Sequence, residues 1–225
     1  MVTLSQLHSR IYNDAEWRYW SEMVNDYTGE EDKKFGCDHG MSHWLSVAHI
    51  ASDFVSQAGG NQTEIYLADI AGMLHDCGLI CGDANHAYNG AQIARAYLES
   101  HFGNNRPLNH VDIGIITHAI AQHSNGDKIK NLIDAAVLFA DKIDIDRHRL
   151  KSEPLNDVQC EVQKIQRIEY LIKPYCLALR YHTEGDFSFE RLCWPKAYQI
   201  PAKVANYLGK PLWLFVNDQR ISLPL

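Results

Sequence analysis

Apolar residues recur along most of this chain at the three-to-four spacing of helices that face a core, and only towards its C-terminal end does the spacing tighten to that of strands. Leu7, Ile11, Trp17 and Trp20 give residues 4–26 one apolar face, which predicts an amphipathic helix, and the polar stretch NDYTGEEDKKFG after it reads as a loop. A second helix is predicted to open near Asp38 and to turn Val47, Ile50, Ala51, Phe54 and Val55 inward before Gly59 and Gly60 stop it. Further helices are predicted from Asn61 to Cys77, from His86 to about His101, from Asn109 to His123 and from Lys128 to Leu150. No β-α-β alternation interrupts them, so the predicted class is mainly α, a helical bundle.

Beyond residue 170 the pattern changes. PYCLALRYH and FSFERL look strand-like with TEGD as a hairpin turn between them, PAKVANYLG reads as a helix closed by its glycine, and PLWLFVNDQRISL reads as one or two strands. The predicted organisation is an N-terminal helix and loop over residues 1–36, a helical domain over 37–170, and a small α/β unit over 171–225.

One stretch sits badly in a plain core. In AGMLHDCGLI, His75 shares the inward face of its helix with Ala68 and Ala71, and Asp76 lies about 100° around from it. A buried carboxylate is costly unless it is paired or holds a metal, and a buried imidazole needs a partner for each ring nitrogen. A lone His-Asp pair would read as a core histidine beside a capping aspartate. Here, however, His43 heads the apolar helix of GMSHWLSVAHIA and Asp141 ends the apolar run LIDAAVLFAD. His86 opens HAYNGAQIARAYL, where Gly90 lets a neighbour come close one turn on. Four helices each bring an imidazole or a carboxylate inward near an end, and a bound metal accounts for that convergence where core packing does not.

The order His, His-Asp and distant Asp, in the contexts HWLSVAHIA, GMLHDCG and FADKID, resembles the HD superfamily of metal-dependent phosphohydrolases. The resemblance implies an HD-type helical bundle in which His43, His75, Asp76 and Asp141 bind one divalent metal. ANHAYNGAQIA and IAQHSNG are similar to segments of HD subfamilies that hold two metals, which implies that His86 and His123 bind a second ion and that Asp76 bridges the pair. CDHGMSH, NHAYNGA, ADKIDIDRHR and ANYLGKPLWLFVND look closest to HD phosphatases and phosphodiesterases. The implied activity is hydrolysis of a phosphomonoester or phosphodiester, a nucleotide or another small molecule, by a metal-activated water; Asp76, His86 and, in place of the family's missing lysine, Lys142 are taken as the catalytic set. Histidine and carboxylate ligands without thiolate suit Fe, Mn, Co, Ni or Zn. Two alternatives accompany the resemblance: an HD-type di-iron oxygenase that cleaves a carbon bond, and a nucleotide-sensing module with an inactive site.

Many HD phosphodiesterases carry a lysine soon after His-Asp, and HDCGLICGD has none. Cations that hold phosphate are therefore expected at Lys142, Arg147 and Arg149, for which a solvated helix end is an equal reading. His39, one turn before His43, is expected to meet substrate or the second metal, or else to cap its helix. His118 and His123 lie about 140° apart around one helix and do not easily serve one ion; His123, in IAQHSNG, is taken as the ligand and His118 as an outer residue.

The composition narrows the partners. Of 225 residues, 46% are hydrophobic and 22% charged, ordinary for a chain that folds. A formal charge of -7 removes any general attraction to nucleic acid or anionic membrane, so a small phosphorylated partner is expected, and neither nucleic acid nor membrane. No apolar run approaches the roughly 20 residues of a membrane span, and MVTLSQLHSR lacks the apolar stretch of a signal peptide, which predicts a cytoplasmic protein. The six cysteines are scattered and disulfides are not expected. Cys77 and Cys81, with His75 and His86 nearby, lack the second close pair of a structural zinc site and read as small buried residues. The C-terminal unit is expected to cover the site, bind substrate or form a dimer surface.

Overall fold

A computed structural model describes residues 3–26, 35–102, 107–153 and 156–222. They form two compact units, Met1–Tyr27 with His39–Asp141, and Thr28–Asp38 with Lys142–Leu225.

The first unit is helical: α1 (Leu7–Tyr12), α2 (Ala15–Asn25), α3 (Met41–Gln57), α4 (Gln62–Leu74), α5 (His86–Phe102), α6 (His110–Gln122) and α7 (Leu132–Ile143), whose last two residues belong to the second unit. The single helix expected over residues 4–26 is broken. A 3-10 turn at Leu4–Gln6 precedes α1, and the Asp14 carboxylate then accepts the N–H groups of Glu16 and Trp17 at 2.9 and 3.2 Å and starts α2 afresh. The expected loop over 25–36 falls mostly on residues 27–34, outside those described. α3 begins at Met41 rather than near Asp38. The helix expected to run to Leu150 ends at Ile143; Asp146 then accepts the N–H of His148 at 2.8 Å and caps a short 3-10 turn, Arg147–Arg149. Asn61 with Glu64, and Asn109 with Asp112, form capping boxes that set the starts of α4 and α6.

Close packing of α3 on α4 positions the chemistry. A Cβ on Gly72 would lie 2.5 Å from the Cα of Ala48, so the two helices approach at a distance only glycine permits. Trp17 locks the far end of α4 by donating its indole N–H to the Met73 carbonyl at 2.8 Å while packing edge-on against Trp44, with ring centres 5.7 Å apart. Phe54 of α3 meets Phe139 of α7 at 4.9 Å.

The second unit holds α8 (Asp157–Lys164), α9 (Phe189–Leu192), α10 (Lys196–Tyr207) and a four-stranded sheet, β1 (Ile165–Lys173), β2 (Cys176–Thr183), β3 (Leu212–Val216) and β4 (Gln219–Ile221). Strand order is β1-β2-β3-β4, antiparallel, then parallel, then antiparallel, with Leu179 opposite Leu214 where β2 meets β3. The expected hairpin is corrected on two counts. Its turn is Pro174–Tyr175, joining β1 to β2, and not TEGD. FSFERL is no strand, because Ser188 accepts the N–H of Glu190 through its hydroxyl at 3.2 Å and starts α9. Tyr181 crosses the interior to donate its hydroxyl to the Ala197 carbonyl at 2.8 Å.

Candidate metal centre

The centre lies in the first unit, at helix ends. His75 is the residue on which α4 stops, and the chain turns through Asp76 into a 3-10 segment, Cys77–Cys81. A Cβ on Gly78 would meet the His86 carbonyl oxygen at 2.0 Å, so this segment runs directly against the start of α5, where His86 is the first residue. Gly90, one turn on, receives Gly78 as the sequence predicts. His123 stands at the end of α6, His43 in the first turn of α3 and Asp141 near the end of α7.

These six residues assemble into two triads, His43, His75 and Asp141, and Asp76, His86 and His123, each offering ligand atoms within 4.8 Å of one another. In the first, the Nε2 atoms of His43 and His75 are 3.1 Å apart and lie 3.4 and 3.8 Å from Asp141 Oδ1. In the second, the Nε2 atoms of His86 and His123 are also 3.1 Å apart, at 3.8 and 3.2 Å from Asp76 Oδ1. The other oxygen of Asp76, Oδ2, faces the first triad, 3.3 Å from His75 Nε2 and 3.7 Å from His43 Nε2. Asp76 thus presents one oxygen to each pair of imidazoles.

The hydrogen bonds on the far side of the rings decide what the near side can do. Nδ1 of His75 faces the Gly72 carbonyl at 2.8 Å, that of His86 the Asp83 carbonyl at 3.0 Å, and that of His123 the Ile120 carbonyl at 2.6 Å. A carbonyl only accepts, so each Nδ1 carries the proton and each Nε2 of a neutral ring is a bare lone pair. In the second triad the two bare lone pairs stand 3.1 Å apart with the Asp76 carboxylate beside them and repel unless a positive charge lies between. Backbone carbonyls behind imidazoles are the usual support of metal-ligating histidine. The donor set, nitrogen and oxygen without thiolate, therefore fits two divalent ions.

Without an ion, protons answer the same demand. Burial alone lowers the affinity of His75 for a proton, but the Asp76 and Asp141 carboxylates outweigh it and raise its pKa. Burial pushes Asp76 the other way, and the imidazoles of His75 and His123 override it, holding its carboxyl well below the usual range. For His123 burial prevails over Asp76 and the pKa falls.

The remaining candidates are placed as follows. His39 sets its ring edge-on to His43, with centres 5.7 Å apart. His118 turns from both triads to pair Nδ1 with Asp134 Oδ1 at 2.9 Å, and Asp134 is fully buried. Lys142, Arg147 and Arg149 belong to the second unit. There Arg149 is buried, its guanidinium donating to the carbonyls of Asp38 and Asp144 and, at 2.9 Å, to the Asp144 carboxylate, while Arg147 pairs with Glu184 at 3.0 Å. All six cysteines are free; the Cys77 thiol is buried, donates to the Gly90 carbonyl at 3.4 Å, and burial pushes its pKa up. Sequence reasoning passed over Ser124, whose Oγ lies 3.0 Å from His86 Nε2 and 3.4 Å from His123 Nε2. Its only signal was its place directly after His123 in IAQHSNG.

Comparison with known proteins finds a family and several relatives. The HD domain family matches residues 40–171. Ribonuclease Y of Campylobacter concisus is 28% identical over 141 residues, 60% of this chain and 24% of that protein. Ribonuclease Y of Nitratiruptor sp. is 29% identical over 147 residues, 63% of this chain and 25% of that protein. The chain thus spans about a quarter of the length of these curated relatives. The crystal structure of a predicted HD superfamily hydrolase from an uncultured Thermotogales bacterium superposes with a TM-score of 0.45 and 23% identity, covering 64% of this chain and 75% of that one.

Proposed function

This chain belongs to the HD domain family, and from that premise we propose that it is a metal-dependent phosphohydrolase, cleaving a phosphomonoester or phosphodiester of a nucleotide or other small molecule. The observation that carries the reading is the division of Asp76, Oδ1 towards His86 and His123 and Oδ2 towards His43 and His75. His43, His75 and Asp141, and Asp76, His86 and His123, would each hold a divalent ion, which would supply Lewis acidity towards phosphate oxygens and lower the pKa of a water towards neutrality.

The chain's own residues do the rest. Gly72, Asp83 and Ile120 fix the rings of His75, His86 and His123 through their carbonyls, so the ligand geometry is set before substrate arrives. Asp76 and Asp141 alone would repel a phosphate, so the positive charge they gather is a condition of binding as well as of reaction. His86 is the ligand most open to solvent, with 25% of its side chain exposed against 10% or less for the other five, which favours approach of substrate from the second triad. Asp76, His86 and Lys142 are the proposed catalytic residues. Lys142 directly follows Asp141 in the sequence and takes the part of the cation missing after His-Asp. His39 is proposed to meet the substrate, and Arg147 to exchange Glu184 for a distal anionic group. Arg149, held by Asp38 and Asp144, is the weakest of the proposed phosphate contacts.

A panel of phosphomonoesters, cyclic nucleotides, dinucleotides and a short oligoribonucleotide, the last included because the relatives bear the name ribonuclease, tests the reading on protein loaded with Mn(II) or Fe(II). Release of phosphate or cleavage of a phosphodiester is the expected result. Oxygen uptake by the iron-loaded protein without hydrolysis of any member would overturn it in favour of an oxygenase.

A further inference from the structure

We propose that Ser124 is a seventh protein ligand of the centre, supplying a hydroxyl oxygen to the ion at Asp76, His86 and His123; this rests on the two-ion reading above. Ser124 Oγ is 3.0 Å from His86 Nε2 and 3.4 Å from His123 Nε2, and those nitrogens are 3.1 Å from each other. Two ligand atoms bonded to one ion at about 2.1 Å lie about 3.0 Å apart at a right angle and about 3.4 Å apart at the tetrahedral angle. The three atoms therefore stand at the separations of neighbours around one cation.

The hydrogen-bond inventory points the same way. With each Nδ1–H donated to a carbonyl, both Nε2 atoms are bare lone pairs, and the single serine O–H donates to the nearer of them, His86 Nε2 at 3.0 Å. When those lone pairs bind an ion they no longer accept, and a hydroxyl 3.0 Å away loses the partner that held it there. Its own lone pairs then face the same point as theirs. The hydroxyl is thus set to exchange a hydrogen bond for a metal bond as the ion enters. This gives the second ion two nitrogens and two oxygens, a set that suits Mn(II) or Fe(II) as well as Zn(II).

Ion-binding titrations of the ion-free full chain, Ser124→Ala, Ser124→Thr and Ser124→Cys with Mn(II) and Co(II) test the assignment. The first ion should bind all four with unchanged affinity. The second should bind Ser124→Ala about tenfold to a hundredfold more weakly, and Ser124→Thr, which keeps the hydroxyl, should recover most of the loss. In Ser124→Cys loaded with Co(II), direct ligation appears as a sulfur-to-cobalt charge-transfer band in the near ultraviolet. A second ion held by Ser124→Ala as tightly as by the unaltered protein, with no such band in Ser124→Cys, would overturn the ligand assignment and leave the two triads standing. An unaltered chain that binds no ion would overturn the metal centre itself.

Discussion

His43 and His75 turn their Nε2 atoms towards each other across 3.1 Å, from separate helices and with almost no solvent reaching either. Gly72 makes the approach attainable twice over. Its missing side chain lets the backbone of α3 come against α4, and its carbonyl accepts the Nδ1 proton of His75, so that the other ring nitrogen faces His43 as a lone pair.

Gly72→Ala is therefore expected to separate the two helices. The new Cβ would meet Ala48 Cα at 2.5 Å and Ala48 N at 2.6 Å, both backbone atoms with little room to move. A loss of about 1–3 kcal/mol in stability should follow, with weaker ion retention. Thermal unfolding and elemental analysis of the variant check this; an unchanged Tm would mean that the interface is looser than described.

Asp76→Ala should lose both ions and all activity, since it removes Oδ1 from the second triad and the Oδ2 that faces the first. His118→Ala should keep both ions. Its effect belongs to stability, because buried Asp134 would lose the imidazole at 2.9 Å and keep the Lys130 N–H at 2.8 Å, a change worth about 1–3 kcal/mol. Metal content of the two variants separates these outcomes; ion loss in His118→Ala would reverse the choice of His123.

Stability should depend on pH through His8. Its hydrogen bond to Asp69, at 2.8 Å, outweighs partial burial and raises its pKa above the ordinary 6.5. A raised imidazole stabilises the fold fully below the unfolded value, so this contribution is complete below about pH 6.5 and fades as the pH climbs through the folded value. The pair is half-exposed, which limits the effect to under about 1 kcal/mol. Chemical denaturation of His8→Gln against the unaltered chain at several pH values should show the difference at the acidic end only.

Among the basic residues after Asp141, Arg149→Met should act on the fold, because it strips buried donors from the carbonyls of Asp38 and Asp144. Lys142→Met should act on the substrate, raising KM more than it lowers kcat if the contact is equally strong in the ground and transition states. Steady-state kinetics beside thermal unfolding tell the two apart: a Tm that falls only in Lys142→Met would exchange their roles.

Much of this was legible because helix periodicity marks inward faces, and His43, His75, His86 and Asp141 break those faces with polar groups. What could not be read depends on contacts far apart in sequence or on single capping groups. Asp14 interrupts one apolar face with a cap that leaves its spacing intact. Arg149 reads as a free cation until Asp38, 111 positions away, is found against it. In β1 the burial is so partial that IQRIEYLIK shows no clean alternation, so the strand escaped notice and its partner was misplaced. Ser124 has no signature at all apart from its neighbour; only the distances to two imidazoles reveal it.

The central claim, two ions sharing Asp76, is tested most directly by titrating ion-free protein with Mn(II) and following electron paramagnetic resonance. Two triads of three ligands each, one of them linked to both, predict uptake of about two ions per chain and an exchange-coupled multiplet that grows as the second ion enters. A spectrum that remains that of isolated Mn(II) at saturation, or a chain that binds none, would contradict it.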